Sequence, residues 1–151
     1  MQIRAGDPYE PGALACLRAS HALMESLFPP EDNHYLSVDA LLRPEISFFV
    51  AEEDDRILGT IALARKDGYG EVKSMFVAPA ARGRGVARAL LAHLEDVARA
   101  MGLPLLRLET GNLLAAAIAL YEAQGFRRCG AFGDYMANNT SVFMEKPLAH
   151  G

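Results

Sequence analysis

The 151-residue chain is 51% hydrophobic and 23% charged with a formal net charge of −4, the composition of one ordinary globular domain with enough length to bury a core. It offers no broad basic face for a nucleic acid, no apolar run near the ~20 residues of a membrane span, and no basic-then-apolar export signal at its N-terminus. Cys16 and Cys129 stand outside any Cys-x-x-Cys pattern and read as buried thiols of a cytoplasmic protein, while His21, His34, His93 and His150 lack metal-ligand spacing, so no metal is expected.

In chain order, Ile3-Arg4-Ala5 reads as a short strand closed by Gly6-Asp7-Pro8. Between Pro11 and Phe28, Leu14, Leu17, Leu23 or Met24, and Leu27 recur at helical spacing. Pro29-Pro30 ends that helix, because neither ring nitrogen can donate and each proline disfavours helix in its predecessor. A polar stretch to Ser37 precedes one or two helical turns over residues 38–42. Residues 46–51 and 57–64 are strands joined as a hairpin at Asp54-Asp55. Gly68-Tyr69-Gly70 then turns the chain into a third antiparallel strand over residues 72–77. After Pro79 the period changes: Val86, Leu90, Leu94, Val97 and Met101 form one helical stripe ended by Gly102. Residues 105–109 are a strand, so 72–109 is a βαβ unit with parallel strands. A helix over 115–123 is closed by Gly125, and late strands over 126–131 and 141–146 flank the loop 132–140. No repeat or linker divides residues 1–151, which read as a single domain.

The most informative stretch lies between the third strand and the second helix: Arg82-Gly83-Arg84-Gly85-Val86-Ala87-Arg88. Glycine admits backbone conformations that a Cβ would block, so successive N–H groups can turn into one concavity. At a helix N-terminus such a concavity attracts anions, and Arg82, Arg84 and Arg88 add full charges beside it. A Walker loop is excluded because no Gly-Lys-Ser/Thr closes the run. The dinucleotide fingerprint fits poorly, since arginine stands at the third small position and the preceding strands are hairpin-like. The remaining readings are a plain strand-to-helix turn and a loop that holds the diphosphate of a coenzyme.

Arg82-x-x-Gly85-x-Ala87 resembles the (Gln/Arg)-x-x-Gly-x-(Gly/Ala) signature of the GNAT N-acetyltransferase superfamily, and Ala117-Ile-Ala-Leu-Tyr121-Glu-Ala-Gln-Gly125-Phe126 resembles its second hallmark. The predicted element order matches over nearly the whole chain. The resemblance implies an α/β (α+β) fold: a mixed, mostly antiparallel central sheet with a splayed parallel pair and helices on both faces. It implies acetyl-coenzyme A as cosubstrate, held through residues 82–88. The backbone of Met75, Phe76 and Val77 pairs with the pantetheine arm on this reading. Leu114 stands where many members carry a polar coenzyme contact, and Asn112 is the substitute two residues earlier.

Acetyl transfer to an amine requires a neutral nucleophile, donors for the oxyanion and a proton for the departing thiolate. By resemblance Tyr121 is the general acid and Glu71 the base; Glu109, Tyr135 or ordered water are alternatives for the base. Ser20-His21-Ala-Leu-Met24 and Pro29-Pro30-Glu31-x-x-His34 resemble a bacterial small-molecule acetyltransferase subgroup. That resemblance places Glu31, His34 and Tyr135 around an acceptor pocket built from loops 29–36 and 132–140; the alternative for the first loop is a solvent-exposed connection. The expected activity is N-acetylation of a small-molecule amine by a possible homodimer. A coenzyme-binding module without turnover and a peptide N-acetyltransferase remain the alternatives.

Overall fold

Side chains that alternate across the strands build two cores, one on each face of a single sheet. The structure, a computed structural model, describes residues 1–148, so His150 lies outside the described residues. The strands are β1 (Gln2–Ala5), β2 (Ile46–Glu53), β3 (Arg56–Lys66), β4 (Tyr69–Val77), β5 (Leu105–Gly111), β6 (Arg127–Cys129) and β7 (Ser141–Pro147). The helices are α1 (Pro11–Leu27), α2 (Val86–Ala100) and α3 (Ala115–Ala123), with 3-10 turns at Pro30–Asp32 and Asp39–Leu42. The sheet order is β1-β2-β3-β4-β5-β7-β6, antiparallel throughout except for the β4–β5 pair.

On one face Phe49 and Ala51 of β2, Ile61 and Leu63 of β3, Val72 of β4, and Leu106 and Leu108 of β5 pack with Leu90, Leu91, Leu94 and Ala98 of α2. The intervening residues Phe48, Val50 and Ala62 turn to the other face and pack with Ala13 and Leu17 of α1. That is the period-two register of a sheet covered on both sides. The helix α2 begins at Gly85, whose φ of +76° is left-handed, and stops at Gly102, with φ +75°. The β2–β3 turn puts Asp54 and Asp55 at φ +51° and +63°, the twist that matches a two-residue hairpin.

Three expectations shift. Tyr69 and Gly70 belong to β4 rather than to the turn before it, and β6 keeps only three residues of the stretch 126–131. The buried face of α1 is Ala13, Cys16, Leu17 and Ser20, whereas Leu27 is exposed. At its start α1 lies close against β3, since a Cβ at Gly12 would stand 2.8 Å from Ile57.

The feature that positions the site is the parallel seam. β4 and β5 pair only at Gly70↔Leu106 and Glu71↔Arg107. Beyond that the β3–β4 register slips between Thr60 and Ala62, and Ser74 adopts φ +53° with its carbonyl held by the Thr60 hydroxyl at 2.8 Å. The bulge bends β4 away from β5, whose own ladder to β7 continues to Gly111.

Candidate active site

The coenzyme loop comes first. Pro79–Ala81 makes a 3-10 turn, and Gly83 (φ +79°) and Gly85 (φ +76°) lead into α2. A Cβ on either glycine would meet nothing within 4 Å, so backbone conformation rather than crowding demands glycine, and the space before the loop is open. No side chain caps α2, and its first turn closes only with Ala89 N–H to the Gly85 carbonyl. The preceding N–H groups are those that an anion can take. Arg82 and Arg88 are exposed, Ala87 half-buried and Val86 buried in the core, while Arg84 is ion-paired with Glu53 at the end of β2. Arg82 also lies 6.0 Å over the Phe76 ring. Together with the unpaired edge of β4 at Met75, Phe76 and Val77, the loop fits an extended, diphosphate-bearing coenzyme.

Where the seam opens, a cleft of about 120 Å³ lies between α1, the 3-10 turn at Pro30–Asp32, and the diverging β4 and β5. Tyr121 lines it from α3, reaching the Met75 sulfur at 3.8 Å and packing edge-on against Phe126. Burial holds the Tyr121 phenol above its ordinary value, so it keeps its proton at neutral pH. Glu109 also lines it, from β5, and accepts the Ser141 hydroxyl at 2.6 Å. Burial raises its carboxyl above the usual range, opposed by the Ser141 bond and by the charges of His34 and Lys73. His21, on α1, stacks on Tyr35 with centroids 4.0 Å apart. Burial lowers its pKa, so the ring is neutral near pH 7; the Leu36 backbone bonds to it while Nε2 has no partner. Phe28 closes the floor against Gly111, where a Cβ would come within 2.1 Å of the ring.

Glu71 sits differently. Its Oε2 accepts the Tyr135 hydroxyl at 2.5 Å and lies 3.2 Å from Lys73 Nζ, which also donates to the Tyr135 hydroxyl at 2.7 Å and the His34 carbonyl at 2.9 Å. These residues border a second cleft of about 380 Å³, which adjoins the first through His34, Tyr35 and Lys73. Burial raises the Tyr135 phenol strongly, and the Glu71 charge adds to it. The two loops expected to build the acceptor pocket do meet here: His34 stacks edge-on against Tyr135 at 5.2 Å, and the Thr140 hydroxyl donates to Asp32 at 2.9 Å.

Several residues stand elsewhere than the sequence implied. Glu31 is exposed and lines neither cleft, whereas its neighbour Asp32 lines the first. Asn112 is exposed and bound to the late loop, through its N–H to the Thr140 carbonyl and its Nδ2 to the Asn139 carbonyl. Asn33, Ser74, Asp32 and Thr140 line the first cleft without having been singled out. Ser74 faces it only because of the bulge, for which one chain's sequence carries no local mark.

Similarity to known proteins agrees with this geometry. Residues 15–126 match the model of the acetyltransferase (GNAT) family. The chain is 44% identical over 148 residues to a protein of Azospirillum brasilense named IAA acetyltransferase, covering 97% of each chain. It is 40% identical over 128 residues to an uncharacterized N-acetyltransferase of Bacillus subtilis, covering 83% of this chain and 85% of that one. A solved structure from Klebsiella pneumoniae, described as an acyl-CoA N-acyltransferase, superposes with a TM-score of 0.82 at 32% identity over 98% of this chain and 97% of that one. With the splayed seam, the glycine loop and these relatives together, the chain belongs to the GNAT acetyltransferase family.

Proposed function

We propose that this acetyltransferase moves the acetyl group of acetyl-coenzyme A onto the amine of a small molecule by direct attack on the thioester. The observation that carries this reading is the first cleft: Tyr121 and Glu109 line it together where β4 leaves β5. Residues 82–88 hold the diphosphate through backbone N–H groups and arginine charge, and the free β4 edge from Met75 to Val77 takes the pantetheine arm as an added strand. The amine nitrogen forms the new bond to the acetyl carbon as the C–S bond breaks. Glu109 accepts the proton that the amine gives up, and Tyr121 returns one to the thiolate.

Glu109 is the better-placed base because the Glu71 carboxylate is engaged by Lys73 and Tyr135 and borders the adjoining cleft. Glu71, with Tyr135, then holds the late loop against β4. The bond from Thr140 to Asp32 ties the two loops together, and the reacting cleft is smaller than the roughly 300–1,000 Å³ of a drug-sized ligand site. Both favour a compact amine over an extended peptide backbone. The relative named IAA acetyltransferase supports acetyl as the group transferred.

Thiol release from acetyl-coenzyme A, followed across a panel of amines, tests the activity. Tyr121→Phe should lower kcat by ~10²-fold with coenzyme affinity nearly intact, since the ring and its packing remain. A fully active Tyr121→Phe enzyme would make this tyrosine structural, and coenzyme binding without turnover on any amine would favour a sensor.

A further inference from the structure

Among the described residues, five buried side-chain nitrogen or oxygen atoms make no hydrogen bond: His21 Nε2, Asn33 Nδ2, His34 Nε2, Ser74 Oγ and Arg107 Nε. Arg107 Nε faces Glu145 at 3.7 Å as an ion pair. The other four belong to residues that line the one cleft containing Glu109 and Tyr121. Buried polar atoms are ordinarily bonded, because an unmade bond forfeits hydration without replacement. Four such atoms converging on one cleft is the pattern of a site whose bonds are completed by its ligand.

The chemistry of the four is not uniform. Asn33 Nδ2 can only donate, and Ser74 Oγ carries a donor hydrogen. His21 bonds to the Leu36 backbone while Nε2 has no partner, so the bond falls to Nδ1 and Nε2 presents a lone pair. Carboxylates line the same cleft: Glu109 on β5, and Asp32, which is committed to the Thr140 hydroxyl. The cleft therefore offers a carboxylate to an amine and hydrogens to an oxygen.

We infer that the acetyl acceptor carries a carbonyl oxygen, carboxylate or carboxamide, beside its amine, and that Asn33 and Ser74 donate to that oxygen while Glu109 faces the amine. This rests on the acetyltransferase reading above and narrows its acceptor to amino acids and amino-acid amides. His21 Nε2 accepts from the amine or from a carboxamide N–H.

The test compares matched acceptors that share a side chain: the free α-amino acids, their carboxamides, and the amines that remain when the carboxyl group is removed. With acetyl-coenzyme A, the carbonyl-bearing members should show kcat/KM at least about tenfold above the plain amines, because a site built to bond a group rejects the analogue that lacks it. Preference for the acid over the amide identifies a carboxylate, and the reverse a carboxamide. Asn33→Ala and Ser74→Ala should each shrink the preference, mainly through KM for the carbonyl-bearing acceptor. Equal turnover of plain amines, or a preference untouched in both variants, overturns the inference. No turnover across the panel while acetyl-coenzyme A still binds by calorimetry also overturns it and leaves the coenzyme site standing. Loss of coenzyme binding itself would instead sink the reading on which the inference rests.

Discussion

Glu109 shows how one carboxylate can be costly to the fold and useful to the reaction. Burial raises its pKa above the ordinary glutamate value of about 4.3. The folded state therefore binds this proton more tightly than the unfolded chain. The stability this provides is present at acid pH and is lost as pH rises through the folded value. As a base, the same group works only once ionised, so activity should fall as pH falls through that raised value. Glu109→Gln keeps a partner for Ser141 and removes the buried charge. It should melt at or above the wild-type temperature at pH 7, lose 10²-fold or more in kcat, and lose the acidic limb of its pH–rate profile. Glu71→Gln should instead loosen the late loop and raise the acceptor KM. If the two variants exchange these behaviours in pH–rate and melting measurements, Glu71 is the base.

At the scale of elements, the loop between β4 and α2 has a backbone requirement that no side chain can meet. Gly85 is the N-cap of α2 at φ +76° with open space before it. Gly85→Val forces a β-branched residue into a left-handed conformation and puts methyl groups where phosphate would approach. Calorimetry should find acetyl-coenzyme A binding abolished; unchanged affinity would remove the loop from the site. This loop was legible in the sequence because glycine and arginine spacing record a backbone conformation and a charge. The helix α2 was legible because Val86, Leu90 and Leu94 keep a helical period into a buried core. The acceptor wall was not. Glu31 and Asp32 are adjacent and chemically alike, and only the 3-10 turn decides which carboxylate reaches the cleft. Ser74 owes its place to a bulge, and Asn112 its partners to a loop 27 residues away in sequence. Such placements come from long-range packing, which local periodicity does not encode.

Taken whole, the molecule leaves Leu113 59% and Met136 81% exposed, on connections joined by the Asn112 bonds to residues 139 and 140. A second copy of the chain is the proposed cover, and light scattering at tens of micromolar should give twice the 16.4 kDa chain mass. A monomer mass ends that idea. The parallel seam has a mechanical meaning besides its chemical one. Only two residue pairs join β4 to β5, while β2–β3 and β5–β7 are paired along most of their lengths. The sheet is thus two stiff blades on a short hinge, with the coenzyme arm proposed to lie in the notch between them. A ligand that bonds along the β4 edge would act as a splint, restoring rigidity where the ladder stops. Amide hydrogen exchange at residues 72–77 should therefore slow on adding acetyl-coenzyme A far more than exchange in β2 or β3, and uniform slowing across the sheet would mean that the hinge is already stiff.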